Sequence, residues 1–349
     1  MKTPPFHPLV DQFSRTISYL RLSITDRCNL RCMYCMPKGA EDSAKHTKTG
    51  DILAHSELLS YEELLRVVRI AVEMGMNKLR LTGGEPLVRR GILDFIHQLS
   101  SIKGLEEIRV TTNGVLLPDY AERLYQEGVR QLNISLDSLN PKKFHKITGR
   151  DEFSRVWEGL LKARDLGFKI KINVVSMKGI NDDEFGDFAQ LALNEPFQIR
   201  FIEFMPLGEK SSWEKEQFIK TDDIKEIISR AGSLTPFKSK YDHGPARVYA
   251  LEDSQGRKGS VGFISPISHH FCDKCNRLRL TSEGRLRACL LNDKETDLKN
   301  LLRTGASNQM IRQRIRQTIM DKPKGHTLHD DLRDIDRPTC LGQMSQIGG

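Results

Sequence analysis

The sequence predicts an α/β fold, an incomplete (β/α)6 TIM-type barrel that a smaller C-terminal α+β domain closes. Short strand-like runs alternate with helical runs from Tyr19 to about Arg230, which is typical of βαβ units and a parallel sheet. Polar and apolar residues also alternate within the strands, and after Arg230 short strands appear beside a second group of cysteines. We therefore divide the chain into a barrel domain, residues 1–238, and a C-terminal domain, residues 239–349.

Six strands, with helices between them, account for the barrel. The strand-like segments are Tyr19 to Thr25, Lys78 to Thr82, Glu107 to Thr111, Gln131 to Ser135, Lys169 to Val175 and Gln198 to Phe204. The helical segments are Tyr61 to Met74, Asp119 to Glu127, Phe153 to Leu166 and Asp182 to Leu193. The C-terminal domain has strand-like runs and then helical runs, at Arg247 to Leu251, Ser260 to Ile264, Leu298 to Leu302 and Ser307 to Met320.

The alternation within the strands predicts a polar interior for the barrel. Parallel strands covered on both faces should be continuously apolar, whereas Arg21 stands between Leu20 and Leu22, and Lys171 follows Ile170. If the apolar side meets the helices, the basic side points inward. A complete eight-stranded barrel fills its interior with branched aliphatic side chains, so this pattern indicates an open barrel that holds a large anionic ligand. A solvent-facing antiparallel sheet gives the same alternation, but the helices between the strands argue against it.

Composition and charge limit the class of protein. The 349 residues are 29% charged and 38% hydrophobic, which is ordinary for a globular protein. Since no run of about 18 apolar residues is present and Met1 to Arg15 lacks a signal-peptide core, we expect a cytoplasmic protein without membrane contact. The net charge of +8 and the pI of about 9.1 suit nucleic acid, a membrane surface or a polyanionic small substrate, and charge alone does not choose among them.

Three cysteines lie on one loop after the first predicted strand. Cys28, Cys32 and Cys35 have the spacing C-x3-C-x2-C, at the strand end where barrel active sites lie. Iron–sulfur clusters usually take four cysteines, so three leave one iron open to another ligand. Zinc is the ordinary alternative for clustered cysteines, but its fourth ligand would have to come from a histidine in the polar insert at residues 38–55.

The segment TDRCNLRCMYCMP, from Thr25 to Pro37, resembles the signature of the radical S-adenosylmethionine enzymes. The turn Gly83-Gly84-Glu85-Pro86 after the second strand is similar to the methionine-binding element of the same superfamily. This resemblance implies a 4Fe-4S cluster whose open iron chelates the amino and carboxylate groups of S-adenosylmethionine. One electron through the cluster then yields a 5'-deoxyadenosyl radical, so the cofactor carries the difficult chemistry.

A second group of three cysteines, Cys272, Cys275 and Cys289, lies in the C-terminal domain. By spacing alone, a Cys3His zinc site that uses His269 or His270 is as well supported as a second iron–sulfur cluster.

Two arginines, Arg277 and Arg279, follow the second of these cysteines. On a strand they point to one side, and guanidinium groups bind phosphate bidentately and stay charged when desolvated. An Arg-x-Arg pair alone is usually a solvated face. Beside a second incomplete cluster and a basic barrel interior, it predicts a phosphate-binding pair.

The chain as a whole resembles the GTP 3',8-cyclases, which begin molybdenum cofactor biosynthesis. Matching motifs lie at Leu22 to Pro37, Leu79 to Pro86, Thr111 to Gly114, Asn133 to Ser138, Lys171 to Asp182, Arg200 to Gly208, Cys272 to Arg279, Cys289 and the terminal Gly348-Gly349. The resemblance implies two 4Fe-4S clusters, the first on Cys28, Cys32 and Cys35 and the second on Cys272, Cys275 and Cys289.

The same resemblance implies which residues contact the small molecules. Those implied for S-adenosylmethionine are Tyr34, Gly84, Ser135 and Met205. Those implied for GTP are Arg21, Arg80, Thr111, Lys171, Arg200, Arg277, Leu278 and Arg279. Gly348 and Gly349 would lie near the substrate, because the tail of these enzymes reaches into the active site and glycine permits close backbone approach. No single side chain is implied as catalytic.

The implied reaction converts GTP to (8S)-3',8-cyclo-7,8-dihydroguanosine 5'-triphosphate. The deoxyadenosyl radical takes the ribose 3' hydrogen, the C3' radical attacks guanine C8, and one electron and a proton complete the product. The implied partners are an electron donor of the flavodoxin or ferredoxin type and a downstream cyclic pyranopterin monophosphate synthase. No nucleic acid is expected, and the sequence leaves the oligomeric state open, a homodimer included.

Two alternatives are less well supported. Another radical enzyme with an auxiliary cluster, such as one that modifies peptides, should carry more C-terminal cysteines and has no use for Arg277 and Arg279. A zinc-bearing nucleic-acid-binding protein suits the pI, but aromatic residues are only 7% and no stacking pattern accompanies the basic ones. Two features depart from the family pattern: the insert at residues 38–55, and Cys340, which matches no implied ligand.

Overall fold

The computed structural model describes residues 8–35, 53–208, 213–237, 244–326, 340 and 344–347. Six parallel strands form the barrel: β1 Tyr19–Ser23, β2 Lys78–Thr82, β3 Glu107–Thr112, β4 Gln131–Ser135, β5 Lys169–Ser176 and β6 Gln198–Glu203. Each strand pairs with the next one along the chain. All six predicted strands are confirmed, although β1 ends earlier than the sequence pattern indicated.

Helices connect these strands and continue into the C-terminal part. Their bounds are α1 Tyr61–Glu73, α2 Ile92–Ser100, α3 Leu117–Gln126, α4 Pro141–Thr148, α5 Phe153–Asp165, α6 Phe185–Asn194, α7 Thr221–Ser229, α8 Lys299–Arg303, α9 Asn308–Met320 and α10 Met344–Ile347. α1 begins at a capping box, in which Ser60 and Glu63 each accept a backbone N–H from the other. The segment predicted as one helix from Asp182 begins as a single 3-10 turn, Asp182–Glu184, ahead of α6.

The C-terminal strands extend the barrel at both edges. They are β7 Ser233–Pro236, β8 Arg247–Glu252, β9 Lys258–Ile264, β10 Arg277–Leu280, β11 Arg285–Arg287 and β12 Glu295–Asp297. β9 lies parallel beside β6 and β10 lies parallel beside β1, in the order β12-β11-β10-β1-β2-β3-β4-β5-β6-β9-β8-β7. Within the described residues β7 and β12 do not pair with each other, so the predicted incomplete barrel is confirmed. The predicted domain boundary at residue 238 lies in a gap of the described chain and stays a prediction.

The two faces of the strands differ as the alternation predicted. Leu22 and Leu81 are fully buried in the core between the sheet and the helices, where Tyr61 of α1 stacks on Phe95 of α2 at 4.5 Å. The alternate positions, such as Arg21, point into the barrel. Among the described helices, none has both the length and the apolar content needed to cross a membrane.

Candidate active site

A cavity of about 300 Å³ occupies the interior of the barrel. Its walls are inward side chains of β1–β6 and β10, the segment around the second cysteine group, and Met344 in α10. The cationic residues of this lining are Arg21, Lys78, Arg80, Arg109, Lys171, Arg200, Arg277 and Arg279. Within the described lining Glu203 is the one carboxylate, and Glu107 beside the lining pairs with Lys78 (3.3 Å) and Arg109, so the cavity keeps a net positive charge.

Strand register brings the cations together. Arg21 of β1 lies level with Arg80 of β2 on one side and with Arg279 of β10 on the other. Tyr19, two residues earlier on β1, lies level with Arg277. Because residues i and i+2 of a strand face the same side, all five side chains share one wall of the cavity.

This crowding changes the pKa values of the wall. Burial, together with the charges of Arg279 and Arg80, holds the pKa of Arg21 well below its usual value. Burial and the charge of Arg277 lower the pKa of Arg279 to about 9. For Tyr19 burial acts to raise the pKa, but the charges of Arg80 and Arg21 outweigh it, and the pKa is lowered. An anion bound here would relieve the repulsion among these groups.

The carboxylate of Glu203 has a structural task at the end of β6. It accepts hydrogen bonds from the Thr221 hydroxyl (2.9 Å), the Ser268 hydroxyl and the Ile267 N–H (3.0 Å). These bonds attach β6 to the start of α7 and to the segment that leads to the second cysteine group.

The structure brings seven of the eight residues predicted for GTP to the cavity: Arg21, Arg80, Thr111, Lys171, Arg200, Arg277 and Arg279. Arg80 Nη1 also donates to the Thr111 hydroxyl (3.1 Å). The eighth, Leu278, has its side chain in the core, 1% exposed, so that only its main chain is left to meet a ligand. Gly348 and Gly349 lie outside the described residues.

Several cavity residues were missing from the predicted set, and three of them, Tyr19, Lys78 and Arg109, lie on the same strands as predicted ones. They stand two positions before Arg21, Arg80 and Thr111 on the same strands. The strand periodicity that placed the predicted residues inward therefore contained the signal for these three as well.

The first three cysteines lie on the loop after β1. Cys28 and Cys32 are half-buried against the core, and the Arg31 N–H donates to Thr148 O at the end of α4 (2.8 Å). Burial raises the pKa of Cys28 to about 11. Burial also raises the pKa of Cys32 well above its usual value, and the negative charges of Asp137, Cys35 and Cys28 contribute.

Two glycines of the Gly-Gly-Glu-Pro turn pack against this loop. A Cβ atom on Gly83 would lie 2.6 Å from Thr25 O, and one on Gly84 would lie 2.3 Å from Arg27 O. The Gly84 N–H donates to Thr25 O (2.7 Å). Since any side chain would prevent this approach, the glycines are required to join the end of β2 to the cysteine loop.

The residues predicted for S-adenosylmethionine fall into two groups. Tyr34 and Met205 line the cavity, whereas Gly84 and Ser135 do not belong to its described lining. The Tyr34 hydroxyl donates to Asp137 Oδ2 (2.7 Å). Asp137 is 4% exposed and was not predicted, although it lies inside one of the family motifs. Its task is to fix the tyrosine.

All three cysteines of the second group line the cavity. Arg277 Nη2 donates to Cys275 Sγ (3.5 Å). Burial acts to raise the pKa of Cys275, but the charges of Arg277 and Lys322 outweigh it and lower the pKa to about 6. Burial raises the pKa of Cys272.

The histidines considered for a zinc site contact other side chains. His269 Nε2 is 2.8 Å from Asp222 Oδ2, and the ring of His270 lies 4.2 Å from that of His326. Within the described chain, no group of three histidine, cysteine or acidic side chains is placed to hold a single metal ion. A four-iron cluster makes a different demand, because each cysteine binds its own iron.

Two buried cations hold the main chain around the second cysteine group. The sequence analysis did not predict either of them. Arg15 Nη1 donates to Cys272 O (2.9 Å), and Lys322 Nζ donates to Arg277 O (2.9 Å) and Ala288 O. Arg15 is 6% exposed and Lys322 is 2% exposed. Neither stands in a local motif, since each contacts a part of the chain that is distant in sequence.

The donor sets fit the groups that the resemblance implies. Each set supplies three cysteines, the usual ligands of iron–sulfur clusters.

The seventh cysteine, Cys340, is fully buried, and its Sγ lies 3.2 Å from both Arg287 Nη2 and Asp293 Oδ1. In the cavity, Asn173 Oδ1 is a buried acceptor without a hydrogen-bond partner among the described residues, which suits a bound donor group.

The chain is similar to known protein families over most of its length. The profile of the Radical SAM superfamily matches residues 22–192, and that of Molybdenum Cofactor Synthesis C matches residues 197–328. The Streptococcus suis protein SuiB, in its crystal structure bound to S-adenosylmethionine, has the same fold, with a TM-score of 0.60 at 14% identity. The match covers 95% of this chain and 77% of the SuiB chain.

Curated relatives are much closer in sequence. The GTP 3',8-cyclase of Thermodesulfovibrio yellowstonii is 49% identical over 97% of this chain and 99% of its own length. The GTP 3',8-cyclase of Syntrophomonas wolfei is 45% identical over 98% of this chain and 100% of its own. With both profiles matched and both cysteine groups in place, the chain belongs to the GTP 3',8-cyclase family of radical S-adenosylmethionine enzymes.

Proposed function

We propose that this protein converts GTP to (8S)-3',8-cyclo-7,8-dihydroguanosine 5'-triphosphate, the first step of molybdenum cofactor biosynthesis. One observation carries the proposal. A single cavity is lined by eight cationic side chains and by all three cysteines of the second group, and it also reaches Tyr34 of the first cysteine loop. A nucleoside triphosphate needs positive charge along its phosphates, and both clusters must reach the substrate for a radical cyclisation.

Two 4Fe-4S clusters and S-adenosylmethionine are the cofactors of this proposal. Cys28, Cys32 and Cys35 would hold the first cluster, and Cys272, Cys275 and Cys289 the second. When bound at the first, S-adenosylmethionine supplies the 5'-deoxyadenosyl radical that removes a substrate hydrogen. Tyr34, Gly84, Ser135 and Met205 would bind and orient that cofactor, with Tyr34 fixed by Asp137.

The triphosphate would bind to the arginine wall. Arg21, Arg80 and Arg279 present neighbouring guanidinium groups from three adjacent strands. Guanidinium groups donate paired hydrogen bonds to phosphate oxygens, so three in register suit consecutive phosphates. Lys171 and Arg200 add charge from the opposite half of the barrel.

The guanine base would then lie toward the second cluster. Arg277 donates to Cys275 of that group, so it connects the phosphate-binding wall with the second site. Thr111 and the main chain at Leu278 would contact the nucleoside. The terminal Gly348 and Gly349 are assigned to the substrate by the family pattern alone.

The partners follow from the chemistry of the reaction. A one-electron donor of the flavodoxin or ferredoxin type would reduce the first cluster. A cyclic pyranopterin monophosphate synthase would consume the cyclised nucleotide, and the protein would work in the cytoplasm. The division into two domains at residue 238 is proposed from the change of pattern along the sequence after Arg230.

Anaerobic reconstitution tests this function. The expected result is about eight irons per chain and formation of 5'-deoxyadenosine that depends on GTP and a reductant. Cys28→Ala and Cys275→Ala should each lower the iron content by about half, whereas the matched variant Cys340→Ala, outside both groups, should keep it. Zinc in place of iron, or cofactor cleavage that GTP does not affect, would contradict the proposal.

A further inference from the structure

Asn113, in the turn after β3, lies against the first cysteine loop. Its Nδ2 is 3.6 Å from Cys28 Sγ and 2.7 Å from Asn29 Oδ1. Both distances allow hydrogen bonds, one from an N–H to the sulfur atom and one from an N–H to the oxygen atom. The two amide hydrogens of one side chain therefore reach both Cys28 and the residue that follows it.

The orientation of this amide follows from its neighbours. Asn113 Oδ1 accepts the backbone N–H of Val115 (3.1 Å), which only an oxygen can do. The nitrogen must then occupy the other position, and it faces Cys28 and Asn29. A flipped amide would place an oxygen beside the sulfur and leave the Val115 N–H facing another donor.

The backbone of Asn113 is held by Glu85, the third residue of the Gly-Gly-Glu-Pro turn. Glu85 is 1% exposed. Its Oε2 accepts the Asn113 N–H (2.7 Å), and its Oε1 accepts the Thr112 hydroxyl (2.8 Å) and the Leu87 N–H (3.1 Å). One buried carboxylate thus fixes the end of β3 to the turn that also packs its glycines on the cysteine loop.

We propose that Asn113 is a positioning residue for the first cluster: it donates a hydrogen bond to the Cys28 thiolate, and Glu85 holds it in place. Hydrogen bonds to cluster sulfur atoms raise the reduction potential, because they stabilise the additional negative charge of the reduced state. Asn113 would therefore make the one-electron reduction of this cluster easier. The inference rests on the proposed function only in that Cys28 binds a cluster.

The experiment is a redox titration followed by electron paramagnetic resonance. Cys272, Cys275 and Cys289 are replaced by alanine in every sample, so that the first cluster is the only one to titrate. In this background Asn113→Asp keeps the oxygen that accepts from Val115 and replaces the donor by a carboxylate oxygen. Asn113→Leu removes both functions at similar volume.

Both variants should lower the ratio of reduced to oxidised cluster about tenfold at a fixed potential, which is a shift of about 59 mV for a one-electron couple. Asn77 serves as the matched control, since it is also half-buried but lies at the opposite end of the strands, with its Nδ2 bonded to Glu106 Oε2 (2.7 Å). Asn77→Leu should leave the potential unchanged.

The outcomes separate the inference from the proposed function. If the background protein assembles no iron–sulfur cluster, the proposed function fails. If the cluster assembles and Asn113→Asp titrates at the same potential as the background, the inference is overturned. A shift in Asn113→Leu alone also overturns it, because that result assigns Asn113 to the turn and not to the sulfur.

Discussion

Arg21 on β1 and Arg279 on β10 lie level with each other across a parallel strand pair, with both side chains facing the same cavity. The pair comes from the first and one of the last strands of the chain, so the phosphate-binding wall exists only where the two ends of the fold meet. The pKa values of both guanidinium groups are lowered by burial and by neighbouring positive charge. The ligand-free protein therefore keeps positive charges close together, and an anionic substrate would relieve their repulsion.

Replacement of Arg279 should change stability and binding in opposite directions. In Arg279→Met the ligand-free protein should gain roughly 1 kcal/mol of unfolding free energy, because a buried like-charge contact is lost. GTP affinity should fall about 10- to 100-fold, since each charge-assisted hydrogen bond contributes about 1.5–3 kcal/mol. Thermal unfolding and calorimetric titration measure the two effects. Arg285→Met, which removes an exposed ion pair with Asp297, is the control, and equal GTP affinity in both variants would contradict the assignment.

Gly84→Ala should disrupt the first cysteine loop selectively. Its new Cβ would meet Arg27 O at 2.3 Å, and one of the two backbones must move. After reconstitution, iron should fall from about eight to about four per chain while the second cluster is kept. Gly186→Ala is the matched control, because no atom lies within 4 Å of its added Cβ. Full iron content in Gly84→Ala would show that the close contact is dispensable.

Glu85 should give the protein a pH-dependent stability. Burial raises its pKa to about 7, although three hydrogen bonds to the carboxylate oppose the shift. A carboxyl whose folded pKa is raised favours the folded state below its unfolded pKa, and this contribution is lost as pH rises through about 7. The loss is of the order of 3 kcal/mol between pH 4.5 and 7.

Urea unfolding at several pH values between 4.5 and 8 tests this dependence. Wild type should lose unfolding free energy across the interval, and Glu85→Gln should show a flatter curve. The exposed Glu106→Gln is the control and should follow wild type. If the unfolding free energy of Glu85→Gln depended on pH as steeply as that of wild type, another group would cause the pH dependence.

Lys322→Met should alter the second cysteine group without touching a cysteine. Loss of the cation should raise the pKa of Cys275 from about 6, because Lys322 is one of the charges that lower it. At pH 7 the iron-free protein should then react more slowly with iodoacetamide at Cys275, by about two- to tenfold. Mass spectrometry of the alkylated peptide measures the rate, and the exposed Lys294→Met should react like wild type.

The sequence predicted the parts of this site that depend on strand periodicity and on local motifs. Alternation in β1 and β2 placed Arg21 and Arg80 inside the barrel, and the cysteine spacings marked both donor sets. Asp137 and Asn113 lie within family motifs, yet their tasks became visible only through contacts with Tyr34 and Cys28, because hydrogen-bond partners across a loop leave no periodic signal.

The residues that hold the second cysteine group from distant parts of the sequence could not be predicted. Arg15 bonds to the main chain of Cys272, and Lys322 bonds to the main chain of Arg277. Both contacts depend on how distant segments of the chain pair and pack, which no short segment specifies. An arginine or lysine there reads as an ordinary surface charge until that pairing is known.

The pairing of β1 with β10 also sets the order in which the protein can be completed during synthesis. β1 leaves the ribosome early, whereas β10 follows only after the whole parallel barrel has been made. Contacts of such long sequence separation form late in folding, because the loop that they close is entropically expensive. Until then the edge of β1 that pairs with β10 has no partner strand, and it carries a charged residue, Arg21, as exposed edge strands commonly do.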